Sequence, residues 1–207
     1  IRDSDMGMSV RSVQEKIDSL KEANPMLGHR GCRLGISYPE ITTMQAQAII
    51  GAAEKLRNEG GNPVIEIMIP LVSSLEEFVN QKDIVDGEYK KIKSRSGLSI
   101  NLKVGTMIEV PRSCLVAESI ANKADFFSFG TNDLTQTTYG FSRDDTGTFF
   151  PHYFDDEILF VDPFEQIDRS GVGKLMHLAV KDARSTKNKI SIAVSYTHLT
   201  LPTSDLV

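Results

Sequence analysis

The chain has 207 residues, enough for one domain with a hydrophobic core. Hydrophobic residues make up 40% and charged residues 25%, and a formal charge of −5 with no basic stripe argues against a nucleic-acid binder. Apolar runs fall well short of the roughly 20 residues of a membrane span, IRDSDMGMSV is no signal peptide, and two distant cysteines, Cys32 and Cys114, point to a reducing, cytoplasmic setting. The chain does not start with Met, so clipping at that end is expected. Ser9 predicts a helix cap ahead of Val10, Val13, Ile17 and Leu20 at helical spacing, with Asn24-Pro25 as the stop. A glycine-studded loop is expected through Gly28, Gly31 and Gly35. Pro39 opens a second helix with Ile41, Met44, Ala48 and Ala52 on one face, closed by Gly60-Gly61.

Residues 64–72, VIEIMIPLV, are dense in β-branched side chains and nearly apolar on both faces, the pattern of a buried parallel strand ending near Pro70. Ser74 starts a third helix through Ile92, weakened in its middle by Gly87. Leu102–Val110 reads as a second strand, and Pro111 leads a helix through Val116 and Ile120. Asp125–Gly130 reads as a third strand. A long loop rich in Thr, Gly and Asp follows, then a helix over Val172–Ala183 and a fourth strand starting at Lys189. Strict alternation of strand and helix means βαβ units, a parallel sheet and the α/β class. There is no internal repeat. After Ala193 the sequence VSYTHLTLPTSDLV has neither helical period nor alternation, so the domain is read as residues 1–193 and residues 194–207 as a foreign tail.

Four stretches carry chemistry. Gly130, Thr131, Asn132 and Asp133 stand where an apolar strand ends, the end at which parallel barrels place catalytic groups. Glycine lets a ligand approach the backbone, Asn offers an amide, and Asp a carboxylate for a hard cation; the plainer alternative is an Asx turn. Glu109, in GTMIEVPR, ends a buried strand, where a carboxylate is costly unless paired or bound to metal. It can share one Mg²⁺ with Asp133, or form a salt bridge with Arg112. Arg30 and Arg33, between glycines, can present guanidinium forks to a phosphate or carboxylate, or lie on the surface of a turn. Arg143 can fold back over the Asn-Asp stretch to bind an anion, or pair with Asp144 or Asp145. His29, His152 and His177 are isolated and read as structural or surface residues. Both cysteines lack an activating partner and also read as structural.

Together, NPMLGHRGCRL, EIMIPLV, GTMIEVPR and FFSFGTNDLTQTTYGFSRDD resemble the phosphoenolpyruvate-utilising family, which comprises the pyruvate, phosphate dikinases, the phosphoenolpyruvate synthases and enzyme I of the sugar phosphotransferase system. The wording is nearest to the dikinases, and the likeness runs from about Met6 to Ile192. It implies a C-terminal (β/α)₈ barrel, present here only in part, because a whole one takes about 250 residues. It implies Mg²⁺ and phosphoenolpyruvate or pyruvate at the barrel mouth, with phosphoryl transfer to or from a histidine on a separate domain of the same polypeptide. Glu109 and Asp133 match the Mg²⁺ ligands. Asn132, Arg30 and Arg143 match contacts to the phosphate or its transfer state, Asn132 and Arg143 being the catalytic candidates, with Gly130 and Thr131 as further substrate contacts.

The resemblance also implies a homodimer, two more arginines ahead of Ile1, and a proton-donating cysteine in a Cys-Gly-Glu-His-Gly-Gly stretch after Ile192. Here that stretch reads AVSYTHLTLPT, so no residue inherits the role. A Mg²⁺-dependent carbon–carbon lyase and a fragment without a ligand are the alternatives. With about four of eight strands, the chain alone is expected to form an open partial barrel with exposed strand edges, poorly folded and inactive.

Overall fold

The computed structural model describes residues 9–19, 27–97 and 99–195, in two units, Ile1–Arg30 and Gly31–Val207. In the first unit, helix α1 (Val10–Ser19) starts at Ser9, whose hydroxyl accepts from the Ser12 N–H at 3.1 Å. No α1 residue is buried; Val10 and Ile17 are exposed. Leu20 and the Asn24-Pro25 stop lie outside the described residues.

In the second unit, α2 (Cys32–Ser37) and α3 (Pro39–Asn58) precede β1 (Val64–Ile69). Then come α4 (Leu75–Ser96), β2 (Asn101–Ile108), α5 (Pro111–Leu115), α6 (Ala117–Ala121) and β3 (Phe126–Gly130). The chain continues through α7 (Thr131–Tyr139), a 3₁₀ turn (Thr146–Thr148), α8 (Phe150–Asp155), α9 (Val172–Thr186) and β4 (Ser191–Ser195). The four strands form one parallel sheet in the order β1-β2-β3-β4. Ile69 lies beside Thr106, Ile108 beside Phe129, and Gly130 beside Ser195. This is a partial (β/α) barrel, with β1 and β4 as its edges among the described residues.

Apolar burial explains the elements. Phe78, Val85 and Ile92 bury one face of α4, and Ile50 and Ala53 do the same for α3, which packs on it. Ile108, Phe127 and Phe129 fill the core beneath Leu134, Ile120 and Met176. Ser74 caps α4 in a reciprocal box: its hydroxyl accepts from the Glu77 N–H at 3.3 Å, and Glu77 Oε2 accepts from the Ser74 N–H at 3.2 Å. The helix runs unbroken through Gly87 to Gly97, which ends it at φ 70°. A groove of about 650 Å³ lies between α3 and the edge of β1, lined by Ile41, Ala46, Ile49, Ile67 and Gln81 among others.

Several expectations need correction. The glycine loop contains a helix, α2, whose Gly35 packs under the Gln81 amide, where any Cβ would meet Oε1 at 2.2 Å. The helix after Pro111 is two short ones, broken at Val116 (φ −116°, ψ 19°). The long loop after β3 begins instead as helix α7, held by buried Leu134 and Thr135 and closed by Gly140 at φ 70°. The fourth strand starts at Ser191 rather than Lys189 and runs past Ala193 to Ser195, pairing Val194 with Phe129. Residues 196–207 lie outside the described residues.

Candidate active site

Glu109 follows the last residue of β2, so the register Ile108–Phe129 sets it beside Gly130. Its side chain is buried, at 3% exposure. Oε1 accepts a short hydrogen bond from the Leu71 N–H, at 2.6 Å. Oε2 lies over Gly130, where a Cβ would meet it at 2.7 Å, so a larger residue there would force the Glu109 side chain to move. Arg112 turns to the Ser73 carbonyl, to which its Nη1 donates.

Gly130 also starts α7, and no side chain caps that start. The N-terminal N–H groups of this nine-residue helix and its dipole favour an anion. Thr131 sits at the first position, and its buried hydroxyl has no partner among the described residues. Asn132 and Asp133 occupy the first turn as helical residues, not as an Asx turn. Asp133 therefore stands at the same carboxyl end of the sheet as Glu109. Thr137 ties α7 to the end of β2: its hydroxyl lies 2.6 Å from the Asp133 carbonyl of its own helix and 3.4 Å from the Glu109 carbonyl.

Arg143 turns to Asn132, rather than to Asp144 or Asp145. Its Nη1 donates to Asn132 Oδ1 at 3.1 Å, and its guanidinium carbon lies 5.9 Å from the Phe164 ring centroid. Sequence reasoning missed Gln136. Its Nε2 donates to Asp133 Oδ1 at 3.0 Å while its Oε1 accepts from the Arg143 N–H at 2.8 Å, so one buried amide joins the two. The spacing of three between Asp133 and Gln136 on a helix was the available signal. Tyr139 ends α7 with its phenol bonded to Asp168; burial and then that carboxylate push the phenol up. Burial opposes ionisation of Asp168, but hydrogen bonds from Ser170, Val172 and Gly171 outweigh it and hold the carboxyl below its ordinary range.

Gly130, Thr131, Asn132, Asp133, Arg143 and Glu109 thus belong to the second unit. Arg30 closes the first, exposed, with its N–H donating to the Gly28 carbonyl at 3.0 Å. Both cysteines are free thiols. Burial, followed by the nearby Glu77 carboxylate, pushes Cys32 up to about 12, and burial alone does the same to Cys114. Neither is a nucleophile at neutral pH.

Among the described residues no cluster of three or more His, Cys, Asp or Glu is placed to hold a metal. That donor set does not fit zinc, which takes three or four protein ligands. It does fit Mg²⁺, which keeps several waters and takes one or two carboxylates with substrate oxygens. Glu109 and Asp133 are the residues that would hold it. No described helix is long and apolar enough to cross a membrane.

Residues 1–193 match the profile of the PEP-utilising enzyme, PEP-binding domain. The chain belongs to the PEP-utilising enzyme family. It is 49% identical over 198 residues to the chloroplastic pyruvate, phosphate dikinase of Mesembryanthemum crystallinum, covering 96% of this chain and 21% of that protein. With the pyruvate, phosphate dikinase of Clostridium symbiosum it shares 46% over 194 residues, 93% of this chain and 22% of that protein. Pyruvate, phosphate dikinase 2 of Zea mays is 47% identical over 201 residues, 97% and 23%. The chain spans about a fifth of the length of these curated relatives. Membership of the family accounts for the parallel sheet and for the three motifs, EIMIPLV, GTMIEVPR and FFSFGTNDLTQTTYGFSRDD, that lie along it.

Proposed function

We propose that this chain is the phosphoenolpyruvate- and pyruvate-binding part of a pyruvate, phosphate dikinase, a phosphotransferase that interconverts ATP, phosphate and pyruvate with AMP, pyrophosphate and phosphoenolpyruvate. The observation that carries the reading is one sheet end where Glu109 and Asp133 accompany an arginine aimed at the start of a helix. Glu109 and Asp133 would hold Mg²⁺, an ion that takes one or two carboxylates together with substrate oxygens. When bound, the ion supplies positive charge where negative charge develops on the substrate. The uncapped N–H groups of α7 and the Arg143 guanidinium receive the phosphoryl group, with Asn132 orienting Arg143. Gly130 and Thr131 line the approach.

Phosphoryl transfer is mainly positioning and charge neutralisation, and these groups supply both. The partner in transfer is a phosphohistidine domain of the same polypeptide, the intact protein is a homodimer, and its compartment is a reducing one, cytoplasmic in the simplest case. Calorimetry of the chain with phosphoenolpyruvate and Mg²⁺ tests the binding reading: Arg143→Ala should weaken phosphoenolpyruvate and leave pyruvate unchanged. Equal loss of both would sink the phosphate role. For the whole polypeptide, phosphoenolpyruvate formation should require inorganic phosphate; formation without it overturns the dikinase reading.

A further inference from the structure

Leu71 has φ 58°, a left-handed backbone that a bulky residue rarely adopts. It is buried just beyond the end of β1. Both polar groups of this residue's backbone are engaged. Its N–H donates to Glu109 Oε1 at 2.6 Å, and its carbonyl accepts from the Cys32 thiol at 3.2 Å. The same turn is held at two more points: the Cys32 N–H donates to the Pro70 carbonyl at 3.1 Å, and the Thr106 hydroxyl donates to the Ile69 carbonyl at 2.9 Å. Gly31 makes room, since a Cβ there would meet the Leu71 Cβ at 3.0 Å. Segments from before β1 and from β2 therefore converge on one strained peptide. Strain of this kind persists only where the surroundings over-determine it.

We infer that Leu71 is a positioning residue for the cation site, a left-handed peptide clamped by Cys32 that fixes Glu109 Oε1 and so sets Oε2 over Gly130. The inference rests on the proposed reading of Glu109 as a cation ligand. Its logic is preorganisation: a long carboxylate side chain held in place before the ion arrives loses less freedom on binding. The leucine side chain supplies the anchor, and the backbone supplies the donor.

The test separates these two contributions. Mn²⁺ is titrated into the 207-residue chain and followed by electron paramagnetic resonance, beside thermal unfolding in metal-free buffer. Leu71→Val retains most of the apolar volume but disfavours a positive φ; it should weaken Mn²⁺ binding about tenfold, the scale of other outer partners of metal ligands. Leu71→Gly keeps the N–H and accepts the positive φ; it should bind Mn²⁺ as the unsubstituted chain does yet melt lower than Leu71→Val. Cys32→Ala should weaken Mn²⁺, and Cys32→Ser, whose hydroxyl still donates to the Leu71 carbonyl, should restore it. Affinities that simply follow melting temperature overturn the inference, as does unchanged affinity in both Leu71→Val and Cys32→Ala, and either result leaves the cation site standing. No Mn²⁺ binding by the unsubstituted chain, in buffer where it unfolds cooperatively on heating, overturns the cation reading itself, and the inference with it.

Discussion

Glu109 and Arg143 are held in contrasting ways. Glu109 is buried and fixed by a backbone N–H, a glycine and a strained turn, all parts of the sheet's own frame. Arg143 is exposed and held by side chains: Asn132, the Gln136 amide and the face of Phe164. Beside it, Phe141 stacks on Tyr139 at 5.1 Å and meets Phe149, Phe150 and Tyr153 edge-on. Burying a carboxylate costs several kcal/mol unless its partners are already in place, so its cage is built from backbone. A guanidinium can stay hydrated over an aromatic ring until an anion arrives, so its support can be softer. Substitutions on the Glu109 side should therefore act steeply and those on the Arg143 side moderately.

The sharpest way to break this contrast is to remove charge without removing shape. Glu109→Gln keeps an acceptor for the Leu71 N–H, and Asp133→Asn keeps one for Gln136. In the intact polypeptide each should lower kcat by about 10²–10³, the scale of losing one fixed electrostatic group. Melting temperature should move little. Unfolding as severe as the loss of rate would make both residues structural.

Gly130→Ala comes next. The new methyl group must displace Glu109 Oε2 and Met107 Sδ, both 2.7 Å from it. Overpacking of this kind costs about 1–3 kcal/mol, measurable by urea unfolding, and Mn²⁺ affinity should fall with it. A neutral result would mean that the frame around Glu109 yields more than its burial implies.

The smallest expected effect is on the softer side. Gln136→Leu strands the Arg143 N–H and one oxygen of Asp133 at a cost of about 1–3 kcal/mol. Phosphoenolpyruvate affinity should drop about tenfold, more than Mn²⁺ affinity does. If Mn²⁺ suffers equally, the two sides form one rigid unit and the contrast fails.

Much of this was legible in the sequence. The β-branched runs marked the strands, Ser74 marked the start of α4, and Glu109 and Gly130–Asp133 stood where strands end. What escaped depended on contacts distant in the chain. Gly31 and Gly35 look alike as helix breakers, yet Gly35 lies inside α2, packed under Gln81 from α4. The threonines of α7 read as loop residues, since β-branching lowers helix propensity, and only the burial of Leu134 and Thr135 overrides it. An apolar IPLV run cannot announce that its leucine carries φ 58°. That conformation is imposed by Gly31, Cys32 and Glu109.

The sheet order has a consequence for synthesis. Among the described residues each strand lies beside the one made just before it, so none of these three pairings waits for a distant segment to return. On a ribosome adding roughly 5–20 residues per second, β2 can dock on β1 and β3 on β2 as each emerges. Every growing edge is then open only for the seconds needed to deliver the next strand. Glu109, Asp133 and Arg143 all precede β4 in the chain, so both carboxylates and the arginine can assemble while β4 is still in the exit tunnel.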